Sequence, residues 1–452
     1  MRTVVLKLKS FFTQGHERTL KAKKNVAISF FLKGISILIG FVLIPMTINY
    51  VNPTQYGIWL TLSSVISWFN FFDIGLGNGL KNKVAQANAL GDFTQARIYI
   101  STTYAILAII SSCAFVLFLC LNQFISWPGI LNTSSINSET LSHLALIVFG
   151  LFCMQFVAQI INIILTAMHE PARVSLMYVV GQICVILVIY ILTKNTTGSL
   201  NYLVFVLGGM PVLVQILTSI IYFNTSYKHV APSLKFINFK YSRELLSLGG
   251  VFFIIQIGAL LLFQTDNILI TQLFGPASVT TFNIAYKLFS MVIMIFSIVM
   301  APFWSAFTDA ATKGDMAWIR RVLTRLEKYW LLLCALTLVL LFLSPAIYRL
   351  WLKGSVSVPF SISLAMALYA MGYSWILLQC FFLNGIGKIR IQVYLYAICT
   401  LVNIPIGIFL GRLMGIPGVT YSNVIIFVFM GIVLSIQSKR ILNSQAKGIW
   451  NK

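Results

Sequence analysis

Residues 329–351 read YWLLLCALTLVLLFLSPAIYRLW, an apolar run with a single charge, Arg349. As a helix rising about 1.5 Å per residue, a run of this length crosses the roughly 30 Å hydrocarbon core of a bilayer. It shows no period-2 alternation, so it reads as a helix and not as a strand of an outer-membrane barrel. Working outward, similar stretches recur along the whole chain: 26–50, 57–80, 99–122, 141–167, 174–193, 200–224, 247–274, 279–307, 358–384, 391–411 and 418–437. The connections between these twelve spans are too short to hold a soluble domain. Of the 452 residues 59% are apolar and 9% charged, with mean hydropathy +0.90. A soluble chain carries about 25% charged residues. Disordered, collagen-like and disulfide-scaffold classes are excluded by the same composition.

The formal charge of +22 is unevenly placed. With the N-terminus inside, 26 of the 32 Lys and Arg residues fall on inner segments, four on outer flanks (Lys194, Arg349, Lys353, Arg412) and two within spans (Lys33, Lys287). This is a positive-inside pattern, which predicts that both termini are cytoplasmic. The basic balance therefore reads as topology and contact with anionic membrane lipids, with no nucleic-acid partner. Residues 1–25 carry Val4, Val5, Leu8, Phe11 and Phe12 among Lys7, Lys9 and Arg18, the pattern of an interfacial amphipathic segment and not of a cleaved signal. All seven cysteines lie in spans without a CxxC pair and read as small packing residues.

Two landmarks repeat at one offset. Pro53-Thr-Gln-Tyr-Gly-Ile-Trp59 after the first span matches Pro276-Ala-Ser-Val-Thr-Thr-Phe282 after the seventh, and Gly91-Asp92 with Arg97 matches Gly314-Asp315 with Arg320, each 223 residues apart. Arg173 matches Arg390 at 217, the outer loop 352–357 being shorter than 123–140. The expected organisation is an all-α polytopic membrane protein of about twelve transmembrane helices in two six-helix bundles around a central cavity. Its parts are an amphipathic N-terminal segment 1–25, bundles 26–224 and 247–437, a cytoplasmic linker 225–246 and a cytoplasmic tail 438–452. Six spans per half give both halves the same orientation, related by an axis along the membrane normal. That arrangement suits alternating access.

The run Phe72-Asp-Ile-Gly-Leu-Gly-Asn-Gly-Leu80, Gly91-Asp92, the Pro53…Tyr56-Gly57 turn, Asp266-Asn267, Gly275-Pro276 and Ala285-Tyr-Lys-Leu288 resemble the polysaccharide flippases of the multidrug/oligosaccharidyl-lipid/polysaccharide exporter superfamily. The resemblance covers nearly the whole chain. It implies a bacterial inner-membrane protein that moves undecaprenyl-pyrophosphate-linked oligosaccharide, an O-antigen (lipopolysaccharide) or capsule repeat unit, to the outer leaflet. It also implies a lipid-linked oligosaccharide substrate and a polysaccharide polymerase as a downstream partner.

An ionisable side chain deep in a span costs about 2.5–3.5 kcal/mol on insertion scales and usually faces a cavity or a partner. Lys33, Asp73, Asp266 and Lys287 are such positions. Counted from their hairpin turns, Asp266 and Lys287 lie within about 3 Å of one depth, and Lys33 and Asp73 are also level. One Lys–Asp pair per half is the resulting expectation. Two readings stay open. In one, Lys33 and Lys287 attract the substrate pyrophosphate while Asp73 and Asp266 hold them or bind a coupling proton or sodium ion; in the other, each pair joins two helices. Gln155, Gln159 and Asn162 share one helical face and are expected to wall the cavity. Glu170, His169 and His143 read as loop or interfacial groups.

Nothing in the sequence supports catalysis. There is no P-loop, no HExxH and no pairing of the four histidines for metal or haem, so no cofactor is expected. Loop 123–140 has one acid, Glu139, and no Arg, against a polysaccharide polymerase or ligase. A cation-coupled drug or metabolite exporter is the alternative within transport.

Overall fold

The computed structural model describes residues 17–67, 76–134, 136–168, 170–242 and 265–451; among these there are helices and no β-strand. In chain order the long elements are α1 (Glu17–Tyr50), α2 (Pro53–Ser67), α3 (Leu76–Leu90), α4 (Phe93–Asn122), α5 (Ser138–Ala158), α6 (Ile160–Ala167), α7 (Pro171–Asn195), α8 (Leu200–Val204) and α9 (Met210–Asn224). They continue, after a helical stretch 265–274, with α10 (Pro276–Thr312), α11 (Met316–Leu352), α12 (Phe360–Gly385), α13 (Arg390–Met414) and α14 (Ile416–Leu442). A π turn, Phe205–Gly209, joins α8 to α9. Ten described helical segments are long and apolar enough to cross a membrane, with α5 and α6 counted together and α8 to α9 likewise. The expected spans 57–80 and 247–274 pass through residues outside those described, as does most of segment 1–25.

The two Gly-Asp landmarks build the same turn. Gly91 and Gly314 take φ of +72° and +74°, the left-handed region that ends a helix cheaply only at glycine. Asp92 N–H then reaches Ala87 O, and Asp315 N–H reaches Ala310 O, both at 2.9 Å. Each aspartate caps the next helix, accepting from Gln95 N–H and Trp318 N–H at 2.9 Å. Arg97 and Arg320 repeat as well. Arg97 donates to Ala231 O at 2.7 Å, and Arg320 donates to Leu442 O at 2.9 Å; each secures chain at or just after the end of a later helix, α9 or α14.

By packing, the described chain falls into two compact units, one of residues up to Asn52, Ile66–Trp127 and Ile136–Phe253, the other of Pro53–Val65, Pro128–Ser135 and Ile254–Lys452. The division differs from one at the linker 225–246, because most of α2 and the short segment 128–135 pack with the later helices. In the first unit Leu80, Val84, Ile100, Ile160, Ile161 and Ile164 form a buried core. In the second, Phe307 meets Phe382 edge-on at 5.4 Å and Phe427 meets Tyr369 at 5.0 Å. Large apolar side chains also point outward, among them Phe342, Leu350 and Leu401. Hydrocarbon tolerates such a surface, whereas in water it would drive association.

Inside the second unit the two repeat-related turns touch. Thr280 donates to Pro53 O at 2.6 Å. A Cβ on Gly57 would lie 1.8 Å from Pro276 O, so only glycine permits this approach. Thr61 and Thr271 hydroxyls meet at 2.6 Å, Asn267 donates to Ser64 at 2.6 Å, and Asn132 donates to Gln272 O at 3.0 Å. Replacing Gly57 with Ala should lower the thermal unfolding temperature of the purified protein more than Thr280→Ala does. The first overpacks a backbone contact at a cost of about 1–3 kcal/mol, while the second removes one hydrogen bond worth about 1 kcal/mol.

Candidate functional site

Polar side chains in the second unit form a connected chain. Asp266 is 4% exposed, and its Oδ2 accepts from Asn423 at 2.8 Å. Asn403 donates to Asn423 Oδ1 at 3.2 Å, and Ser422 donates to Asn403 Oδ1 at 2.9 Å. The second carboxylate oxygen of Asp266 is buried and has no hydrogen-bond partner. The expected pairing of Asp266 with Lys287 is not formed: no ion pair links them, and the aspartate's partner is an amide on α14. The geometry explains why. Asn267 faces α10, taking a hydrogen bond from Asn283 at 2.8 Å, and the preceding residue points about 100° away around the helix. Lys287 stays half-buried on α10, and no ion pair joins it to a carboxylate among the described residues.

A second constellation lies inside the first unit. Gln155 of α5, Asn162 of α6, Gln182 of α7 and Gln215 of α9 line one cavity of about 270 Å³. Gln159, expected on the same wall, instead occupies the break between α5 and α6, where its N–H bonds Gln155 O at 2.9 Å. Beside this cavity, α5 contributes Gly150, Cys153, Met154 and Val157 to an apolar crevice of about 760 Å³ shared with α4 and α9. One helix thus presents an apolar crevice and an amide-lined cavity.

At the chain end of the first unit, Arg173 pairs with Glu170 at 2.8 Å, and the Tyr227 hydroxyl donates to the same carboxylate. Burial, with that bond to Glu170, pushes the Tyr227 phenol above its ordinary range. The cluster pins the start of the linker to the start of α7. His143 and Glu139 form an exposed contact at 3.9 Å. Lys33 is exposed on α1, while Asp73 and His169 lie outside the described residues. Among the described residues no three His, Cys, Asp or Glu side chains gather as metal ligands. Asn403, Asn423, Gln182 and Gln215 are missing from the candidates drawn from sequence. Each carries the signal that marked Gln155, an amide within an apolar span.

Residues 22–305 match the family model described as polysaccharide biosynthesis protein. A Yersinia pseudotuberculosis protein named for O-antigen export is 22% identical over 365 residues, covering 79% of this chain and 81% of that one. A Salmonella typhi protein named for O-antigen transport is 23% identical over 305 residues, covering 66% and 68%. Among solved structures, an inward-facing multidrug resistance MATE family transporter of the MOP superfamily superposes with a TM-score of 0.76 at 15% identity, over 93% of this chain and 98% of that one. The lipid II flippase MurJ superposes with a TM-score of 0.70 at 16% identity, over 91% and 87%. The chain belongs to the polysaccharide biosynthesis protein family, and its helices adopt the fold of these multidrug/oligosaccharidyl-lipid/polysaccharide transporters.

Proposed function

We propose that this protein is a flippase of the bacterial inner membrane, carrying an undecaprenyl-pyrophosphate-linked oligosaccharide from the inner to the outer leaflet by alternating access, with both termini cytoplasmic. The observation that carries the reading is the pair of surfaces on α5, an apolar crevice and an amide-lined cavity, which suit a cargo with a lipid chain and sugars. The family membership and the names of the curated relatives support it. In this reading Lys287, half-buried and with no ion-pair partner among the described residues, compensates the pyrophosphate once it leaves the headgroup layer. Asp266 takes the coupling cation, a proton or sodium ion, on its unpartnered oxygen. Lys33 meets the headgroup at the other side, and Asp73 holds it there. A polysaccharide polymerase receives the flipped unit; the chain itself is a transporter and not an enzyme.

The decisive experiment compares cells with and without the gene, following surface polysaccharide and the leaflet of its lipid-linked unit. Loss of surface polymer with single units stranded on the cytoplasmic leaflet is expected. Normal polysaccharide with new drug sensitivity would instead identify an exporter, and unpolymerised units on the outer leaflet a polymerase.

Two site predictions follow from the geometry. Lys287→Ala should lower transport at least about tenfold at normal membrane abundance, the effect of losing roughly 1.4 kcal/mol of cargo binding. Asp266→Asn keeps an amide opposite Asn423 and should abolish sensitivity of transport to collapse of the ion gradient. Retained sensitivity would remove the coupling role. In a background free of the native cysteines, Thr61→Cys with Thr271→Cys should cross-link on oxidation, since the hydroxyls meet at 2.6 Å.

A further inference from the structure

Helices α4 and α11 are entered through equivalent Gly-Asp turns, yet the residues after Arg97 and after Arg320 meet different surroundings. One turn beyond Arg97 the linker lies across α4. Ser233 N–H donates to the Ser101 hydroxyl and Asn238 N–H to the Thr102 hydroxyl, each at 3.0 Å, and Tyr241 packs edge-on against Tyr99 at 5.5 Å. Ser101 and Thr102 are buried in consequence. The positions 223 residues further on, Thr324 and Arg325, are both exposed. The Thr324 hydroxyl turns back onto its own helix, to Arg320 O at 3.1 Å.

This bare face is charged. Arg321, Arg325 and Lys328 follow at spacings of four and three, which sets them in one exposed stripe over about 10 Å of helix. Like charges at these spacings repel. Arg321 donates to Ala317 O of its own helix at 3.4 Å, and no ion pair joins any of the three to a carboxylate among the described residues. Glu327, the one acid of α11, lies about 200° around the helix from Arg325, where Lys439 of α14 attracts it. Orientation in the membrane does not ask for three cations here, since α4 makes the same entry with Ile98, Thr102 and Ala105 at the matching positions.

The stripe runs on past the charges. Leu332, Leu336, Val339 and Leu343 continue it at spacings of four, four, three and four, each between 52% and 60% exposed. Tyr329, also exposed, stands at the change from basic to apolar, the place an interfacial aromatic takes. A soluble anion, or an acidic loop of another protein, would answer the charges and leave the leucines bare. An occupant of the whole stripe carries phosphate at one end and hydrocarbon at the other.

We infer that this face of α11 binds an anionic phospholipid of the surrounding bilayer, its headgroup phosphate held by Arg321, Arg325 and Lys328 and its acyl chains laid along the apolar stretch 332–343. The planar guanidinium groups offer paired N–H donors to phosphate oxygens, and the lysine adds a point charge. The three cations line neither the apolar crevice nor the amide-lined cavity, so the site is separate from the surfaces assigned to cargo. The inference does not depend on the flippase reading and holds for any cargo.

The test uses the full-length protein purified in detergent and titrated with phosphatidylglycerol or phosphatidylcholine of identical acyl chains, the successive lipid adducts being resolved by native mass spectrometry. Phosphatidylglycerol should bind at least about tenfold more tightly than phosphatidylcholine at the first adduct, a difference of roughly 1.4 kcal/mol. The triple variant Arg321→Gln, Arg325→Gln, Lys328→Gln should lose that preference while melting no lower than the unmodified chain in phosphatidylcholine, because the side chains it alters are exposed. A control, Lys228→Gln, Lys235→Gln, Lys240→Gln, removes equal charge from the linker and should keep the preference. Should the α11 variant be recovered unfolded, Arg325→Gln alone carries the test, with at least about a threefold loss expected. Four results overturn the inference. They are no preference in the unmodified chain, a preference that survives the α11 variants, an equal loss in the linker control, which would mean diffuse attraction, and displacement of the first phosphatidylglycerol by equimolar undecaprenyl pyrophosphate, which would assign the face to the cargo.

Discussion

Water's absence from the hydrocarbon layer governs this structure. A polar group inside a span must find its partner within the protein, because the solvent offers none. Backbone groups solve this by helix formation, which is why the described residues show helices without a strand. Side chains solve it by linking to one another, as in the run from Asp266 through Asn423 and Asn403 to Ser422 in the second unit. At Asp266 one carboxylate oxygen is left buried without a partner, and the same constraint makes it a candidate for binding.

Much of the scaffold was legible in the sequence. The apolar runs set the helices, and the Gly-Asp landmarks described their own geometry, since a left-handed glycine followed by a capping aspartate needs no tertiary contact to be recognised. The site was less legible. Counting from the turns placed Asp266 and Lys287 at one depth, but depth fixes only one of two coordinates on a helix. Rotation about the axis is set by which neighbour packs where, and Asn267 takes the face that meets α10. The face drawn through Gln155, Gln159 and Asn162 assumed an unbroken helix, whereas a turn falls at Gln159 itself, which periodicity does not reveal. The boundary between units was equally hidden, because the side on which α2 packs is set by tertiary contacts such as the close backbone approach at Gly57.

The turn contact between residues 53–57 and 276–280 has a bearing on how such a chain could arise. Positions 53 and 276, and likewise 57 and 280, are related by the same offset of 223. Position 53 touches 280 while 57 touches 276, an exchange of partners that a two-fold axis produces when identical copies associate. In a homodimer both copies of this contact would be alike. Here one copy is a threonine hydroxyl bonded to a carbonyl and the other a bare glycine pressed on one. A single polypeptide is free of that identity, and here one position supplies a hydroxyl bond while the other admits no side chain at all.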